Sequence, residues 1–163
     1  MIKRRQNVFE TNSSSTHSIS FSSKDDNLEK SCLKIDYDGY IHTEFEEFGW
    51  EQNIYTSQEM KLKYLITMIA CVNGLTPSWY EKDFEHLRTE ITELDDFKTL
   101  NDEIIEYTGC ENGLYIDESY GYIDHQSFEY YKSLKDFLRD WRVKDCIEFI
   151  FGNVIVHTDN DNH

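Results

Sequence analysis

Hydrophobic and polar positions change period along this chain. Near the N-terminus they alternate, over Asn7–Thr11 and again over Thr16–Phe21, on either side of the turn-forming run Asn12-Ser13-Ser14-Ser15. Such alternation predicts an antiparallel hairpin over residues 7–21. Leu33–Tyr37 and Tyr40–Phe45 predict a second hairpin, closed by Asp38-Gly39, a dipeptide preferred in type I′ turns. The period then lengthens. Met60, Tyr64, Leu65, Met68, Ile69 and Val72 recur at helical spacing and predict a helix over Thr56–Val72, with Thr56 and Glu59 as a capping box and Asn73-Gly74 as its end. More helix is predicted at Pro77–Leu94, with the proline in the first turn, and at Phe97–Thr108. Gly113–Ile116 and Tyr122–Asp124 predict a third short hairpin. Phe128–Trp141 and Lys144–Ile150 predict two further helices, and Val154–His157 a closing strand. Hairpins at one end with helices in the middle indicate an α+β fold, since α/β proteins alternate strand and helix. No internal repeat and no Pro- or Ser-rich linker divides the chain, so a single domain over 1–163 is expected.

Composition supports a folded chain. At 163 residues it is long enough to bury roughly 70% of its unfolded surface. Its 15% of aromatic residues exceeds what a disordered chain of similar charge carries. Cys32, Cys71, Cys110 and Cys146 are scattered without a Cys-x-x-Cys pair, which argues against a zinc site and predicts reduced, mostly buried thiols. No apolar run reaches the ~18 residues that span a bilayer, and no apolar core follows Lys3, Arg4 and Arg5 as in a signal peptide. A cytoplasmic protein without a membrane segment is expected. Charge narrows the range of partners. There are 32 acidic residues against 16 basic ones, a net charge of −16. That field repels phosphate and anionic lipid and favours a basic protein surface, although acidity also serves solubility alone.

The most informative chemistry lies in the N-terminal hairpin. If Asn12 to Ser15 form the loop, Glu10 faces His17, and Val8, Glu10, His17, Ile19 and Phe21 share one side. Opposed residues have Cβ atoms ~4.5–5.5 Å apart. A carboxylate beside an imidazole is a workable acid–base pair: the first can take a proton from a ribose 2′-hydroxyl and the second can give one to a leaving oxygen. Backbone N–H groups of Asn12, Ser13, Ser14 and Ser15 can hold phosphate oxygens, and Arg4 and Arg5 can add bidentate contacts. The arrangement describes a metal-independent ribonuclease that needs no cofactor. The same residues also describe an ordinary cross-strand ion pair worth ~0.2–1 kcal/mol. In-line cleavage wants acid and base on opposite sides of phosphorus, and a one-residue register slip would part Glu10 from His17.

Other constellations are weaker. Asp117-Glu118, Asp124-His125 and the C-terminal His157, Asp159 and Asp161 could in principle bind a divalent ion, but their spacing matches no metal motif and exposed loop acids explain them. No EF-hand, Walker loop, G-x-G-x-x-G or G-x-S-x-G occurs. Phe48-Gly49-Trp50 reads as a core corner rather than a base-stacking platform.

The run Asn7-Val8-Phe9-Glu10-Thr11-Asn12-Ser13-Ser14-Ser15-Thr16-His17-Ser18 resembles the opening of a group of phage and mobile-element proteins of Gram-positive bacteria. Glu47-Phe48-Gly49-Trp50, Tyr122-Ile123-Asp124-His125-Gln126-Ser127 and Thr158-Asp159-Asn160-Asp161-Asn162 look like later segments of the same group. Among small proteins of such elements the chain is similar to anti-CRISPR proteins that act on type II Cas9, one of which causes guide-RNA truncation that depends on an N-terminal β-hairpin. The resemblance implies Cas9 and its guide RNA as partners in a bacterial host, with Glu10 as base, His17 as acid, and Arg4, Arg5, Asn12, Ser13, Ser14 and Ser15 holding RNA. It also gives the acidic surface a target, because the nucleic-acid channels of Cas9 are positively charged. The residues alone leave two alternatives open: a non-catalytic acidic inhibitor that blocks a basic groove, and an accessory phage protein unrelated to CRISPR.

Overall fold

A computed structural model describes residues 15–21, 27–49, 52–75, 83–123 and 131–160, with backbone alone at 15–21, 159 and 160. The fold is α+β. In chain order its elements are β1 (Ser15–Phe21), β2 (Tyr40–Thr43), β3 (Asn53–Tyr55), α1 (Gln58–Val72), α2 (Phe84–Glu93), α3 (Asp95–Thr108), β4 (Gly113–Ile116), α4 (Leu134–Asp140), α5 (Cys146–Phe151) and β5 (Val154–Asn160).

The core forms around α1. Tyr64, Leu65, Met68 and Ile69 are buried as their spacing predicts, and Met60 and Val72 are partly buried at the margin. Burial goes further round the helix than one face. Lys61, Leu62, Lys63, Ile66, Thr67 and Ala70 are also inside, so α1 is enclosed by its neighbours rather than laid on a surface. Tyr64 packs edge-on against Phe48 at 5.0 Å and stacks on Phe149 at 6.2 Å. Phe48 is therefore a core residue, as expected. The N-cap of α1 is Ser57, not Thr56: its hydroxyl accepts the Met60 N–H at 3.2 Å. Both residues can cap. Gln58 decides between them, because its side chain donates to the Lys30 carbonyl and accepts from the Cys32 N–H, tying the first helical residue to the preceding segment.

Two small sheets flank the helices. β5 is the central strand of one. It pairs antiparallel with β1 from Ser15↔Asn160 to Phe21↔Val154, and with β3 from Asn53↔Thr158 to Tyr55↔Val156. β1 starts one residue earlier than expected, which moves Ser15 from turn to strand, and β5 runs three residues beyond His157. The proposed partner strand Asn7–Thr11 and the turn residues Asn12, Ser13 and Ser14 lie outside the described residues.

Pairing in the second sheet departs from expectation. β2 and β4 run parallel, Tyr40↔Gly113 to Thr43↔Ile116. Asp38-Gly39 does make a turn, but Asp38 keeps a negative φ and Gly39 alone is left-handed at +81°, so it is not type I′. The Asp36 carboxylate accepts the Asp38 and Tyr40 N–H groups and closes the turn on itself, and the antiparallel hairpin shrinks to the bridge Ile35↔Ile41. The expected hairpin of 113–116 with 122–124 does not form. Residues 113–123 instead follow 40–48: Asp117 donates to the Thr43 carbonyl, Phe45 to the Ser119 hydroxyl, and Phe48 to the Tyr122 carbonyl. Those bonds satisfy the backbone groups that a local hairpin would have used.

Helix starts also shift. α2 begins at Phe84, where the Asp83 carboxylate accepts the His86 N–H, and Pro77 lies outside the described residues. α3 begins two residues before Phe97, directly after Leu94, which is also the C-cap of α2. α4 begins at Leu134 rather than Phe128, because the Ser133 hydroxyl caps it and Tyr131–Ser133 is not helical. α5 spans Cys146–Phe151, two residues later than expected at its start, with Asp145 as its cap. The cysteines are free; Cys110 and Cys146 are buried, Cys71 is intermediate and Cys32 is exposed. Among the described residues no helix is long and apolar enough to cross a membrane.

Candidate functional site

Of the residues expected to act on RNA, His17 and Ser15 are placed, both by backbone on β1. His17 sits at the register position opposite Thr158, and Ser15 opposite Asn160. Glu10, Arg4, Arg5, Asn12, Ser13 and Ser14 lie outside the described residues, as do Asp124, His125 and Asp161. β5 binds β1 along its whole length, so the strand that carries His17 is held by a regular antiparallel ladder. His157 lies opposite Ser18 and Ile54, and Asp159 opposite Thr16. Among the described residues no group of three His, Cys, Asp or Glu side chains is placed to hold a metal ion.

The structure assembles a second group that sequence reasoning missed. His42, on β2, is gripped from both sides. Its Nε2 lies 2.8 Å from Asp36 Oδ2, and its Nδ1 lies 3.0 Å and 3.1 Å from the two oxygens of Asp117. Only the doubly protonated ring can donate on both sides. Hydrogen bonding to Asp117, then to Asp36, raises the His42 pKa above its ordinary value. The Tyr40 N–H, with His42 behind it, lowers that of Asp36. Tyr115 flanks the imidazole at 5.2 Å, and Arg88 lies over the Tyr115 ring at 4.6 Å while donating to the Ile116 carbonyl. With both nitrogens engaged, the imidazole has no lone pair for a metal or for base catalysis, so this cluster clamps the Asp36 turn to the end of β4. Asp36 and His42 flank the Asp38-Gly39 turn and were within reach of a local reading. Asp117 was not.

A third feature surrounds Lys61, in the first turn of α1. Its Nζ donates to the Gly152 carbonyl at 2.9 Å, and the residue is only 2% exposed. Burial pushes the amine down to about 8, opposed by the charge of Glu29. A cleft of about 190 Å³ opens beside it, between the start of α1, the α5–β5 connection and the segment around Glu29. The signal that sequence reasoning missed was a lysine in the apolar stripe of α1: Lys61 lies four residues before Leu65 and seven before Met68, so it shares their face.

No protein-family model, curated protein or solved structure matches the chain.

Proposed function

We propose that this protein inhibits Cas9 by docking its acidic surface on the basic nucleic-acid channel and promoting truncation of the guide RNA through its N-terminal hairpin. The observation that carries the reading is β1, a seven-residue strand bearing His17 and zipped along its length to β5. A catalytic hairpin needs such an anchor, because an isolated two-stranded hairpin is marginally stable in water. The resemblance of residues 7–18 to mobile-element proteins supplies the partner. In the chemistry, Glu10 takes the proton of a ribose 2′-hydroxyl, whose oxygen attacks phosphorus. The bond to the 5′-oxygen breaks as His17 protonates it, leaving a 2′,3′-cyclic phosphate and a 5′-hydroxyl.

Charge favours a second reading, a non-catalytic acidic blocker. The chain has twice as many acidic as basic residues, and several of its cations are already paired internally: Lys63 with Glu44 and Glu59, Arg88 with Glu85, Lys98 with Glu93, and Arg139 with Asp136. What remains for a partner is predominantly negative.

Guide RNA recovered from the inhibited Cas9 complex and run on a denaturing gel separates the two. Cleavage predicts shortened RNA with a cyclic phosphate end, formed in EDTA, and a loss of about 10²–10⁴-fold in rate for Glu10→Gln or His17→Ala with the fold retained. Intact RNA from an inhibited complex would reject cleavage and leave the blocker.

A further inference from the structure

Buried ammonium groups are normally paired, because desolvating a lone charge is costly. Lys61 departs from that rule. It has three N–H donors, and a single backbone carbonyl, that of Gly152, takes one of them. No carboxylate among the described residues lies within ion-pair distance of it. Glu29 lines the same cleft, and its charge acts on the Lys61 amine without forming an ion pair. Two opposite charges thus stand apart at one opening.

Both sides are held in place. The Glu29 backbone donates to the Phe151 carbonyl at 2.8 Å and accepts from the Tyr107 hydroxyl at 2.9 Å. At Gly152 a Cβ would meet the Glu148 carbonyl oxygen at 2.4 Å, so only glycine brings its own carbonyl to Lys61 by this path. Among the described residues, Thr56 and Asn153 add a hydroxyl and an amide to the lining, and Val154 and Ile155 add apolar surface. Apart from Lys61 and Glu29, none of these lining residues has a titratable side chain.

We propose that this cleft binds a small zwitterion of the α-amino-acid class, its carboxylate on the Lys61 ammonium and its ammonium toward Glu29. Two further facts select that class. The cleft, about 190 Å³, is below the ~300–1,000 Å³ of drug-sized sites, so the ligand is small. A net charge of −16 repels a net anion but not a neutral zwitterion. The ligand carboxylate takes N–H donors that Gly152 leaves unfilled and supplies a counter-ion that no described residue provides.

Equilibrium dialysis of the full chain against radiolabelled glycine tests this. One saturable site per chain is expected, with L-alanine competing and acetate or methylammonium at least tenfold weaker as competitors. Lys61→Met should abolish binding, and Glu29→Gln, at an exposed position expected to leave the fold intact, should weaken it at least tenfold. From about pH 7 to about pH 9 the affinity should fall about tenfold, as the Lys61 amine, pushed down to about 8, loses its proton, while free glycine, whose amine is held protonated by its own carboxylate beyond the range of a peptide N-terminus, stays mostly zwitterionic. Absence of saturable glycine binding to the wild-type protein overturns the proposal. So does acetate competing as well as alanine, or Glu29→Gln binding glycine like wild type.

Discussion

His42 ties the turn at Asp36 to the end of β4 through a charge that exists only when the ring is doubly protonated. The sign of its pH dependence follows. Its folded pKa is raised, so its contribution is fully present below the ordinary histidine value near 6.5 and is lost as pH rises through the higher folded value. The folded pKa of Asp36 is lowered, so its contribution is present above the ordinary value near 3.9 and is lost as pH falls through the lower one. The clamp is therefore strongest between the two. His42→Gln should lower the thermal midpoint most at about pH 5 and little at about pH 8.5, measured by circular dichroism. The loss should be small, because His42 and Asp117 are nearly half exposed and such pairs contribute little. An equal loss at both pH values would remove the charged clamp. Half of this group was legible, since Asp36 and His42 sit six residues apart around a turn, but Asp117 is 75 residues from His42 in sequence.

Elements were easier to locate than to delimit or pair. The span of α1 was legible from its apolar period, while its cap depended on the tertiary contacts of Gln58. Ser57→Ala should cost about 1 kcal/mol of stability in urea unfolding, the usual value of an N-cap side chain. Thr56→Ala should stay within about 0.5 kcal/mol, as for an exposed residue without a cap bond. Equal losses, or a larger one at Thr56, would return the cap to Thr56. Strand positions were legible in part: β1, β2, β4 and β5 fall where alternation or short apolar runs predicted them, but β3 was not foreseen, and the strands expected at 33–37 and 122–124 are reduced to the bridges at Ile35 and Ile123. Strand partners were not. Local turn chemistry favoured hairpins over 33–45 and 113–124, yet β2 found β4 across the helices α1, α2 and α3, and the pairing of β1 with β5, from the other end of the chain, was not foreseen. A ladder supplies the same hydrogen bonds whichever segment offers them, so the choice falls to side-chain packing between distant strands.

At the scale of the molecule, the net charge of −16 sets the long-range field. An excess of 16 carboxylates over cations makes long-range attraction to a basic groove strong at low salt and screened beyond about 10 Å at 0.1 M salt. The proposed docking on the Cas9–guide RNA complex predicts binding that weakens at least tenfold between about 0.05 M and about 0.5 M salt, chiefly through slower association. Surface plasmon resonance over that range reads both rates, and an affinity indifferent to salt would reject acidic docking.

The sequence by itself determined that the chain folds, that it is α+β, where α1 and most of α3 lie, and that the surface is acidic. These properties depend on composition, on period and on neighbours a few residues away. Tertiary structure alone decided that β2 and β4 run parallel, that β5 is the centre of its sheet, that His42 is clamped by two carboxylates, and that Lys61 is buried beside a cleft. Each of those depends at least in part on segments far apart in sequence, and the free energy that joins them comes from packing and desolvation, which neighbours a few residues away do not fix.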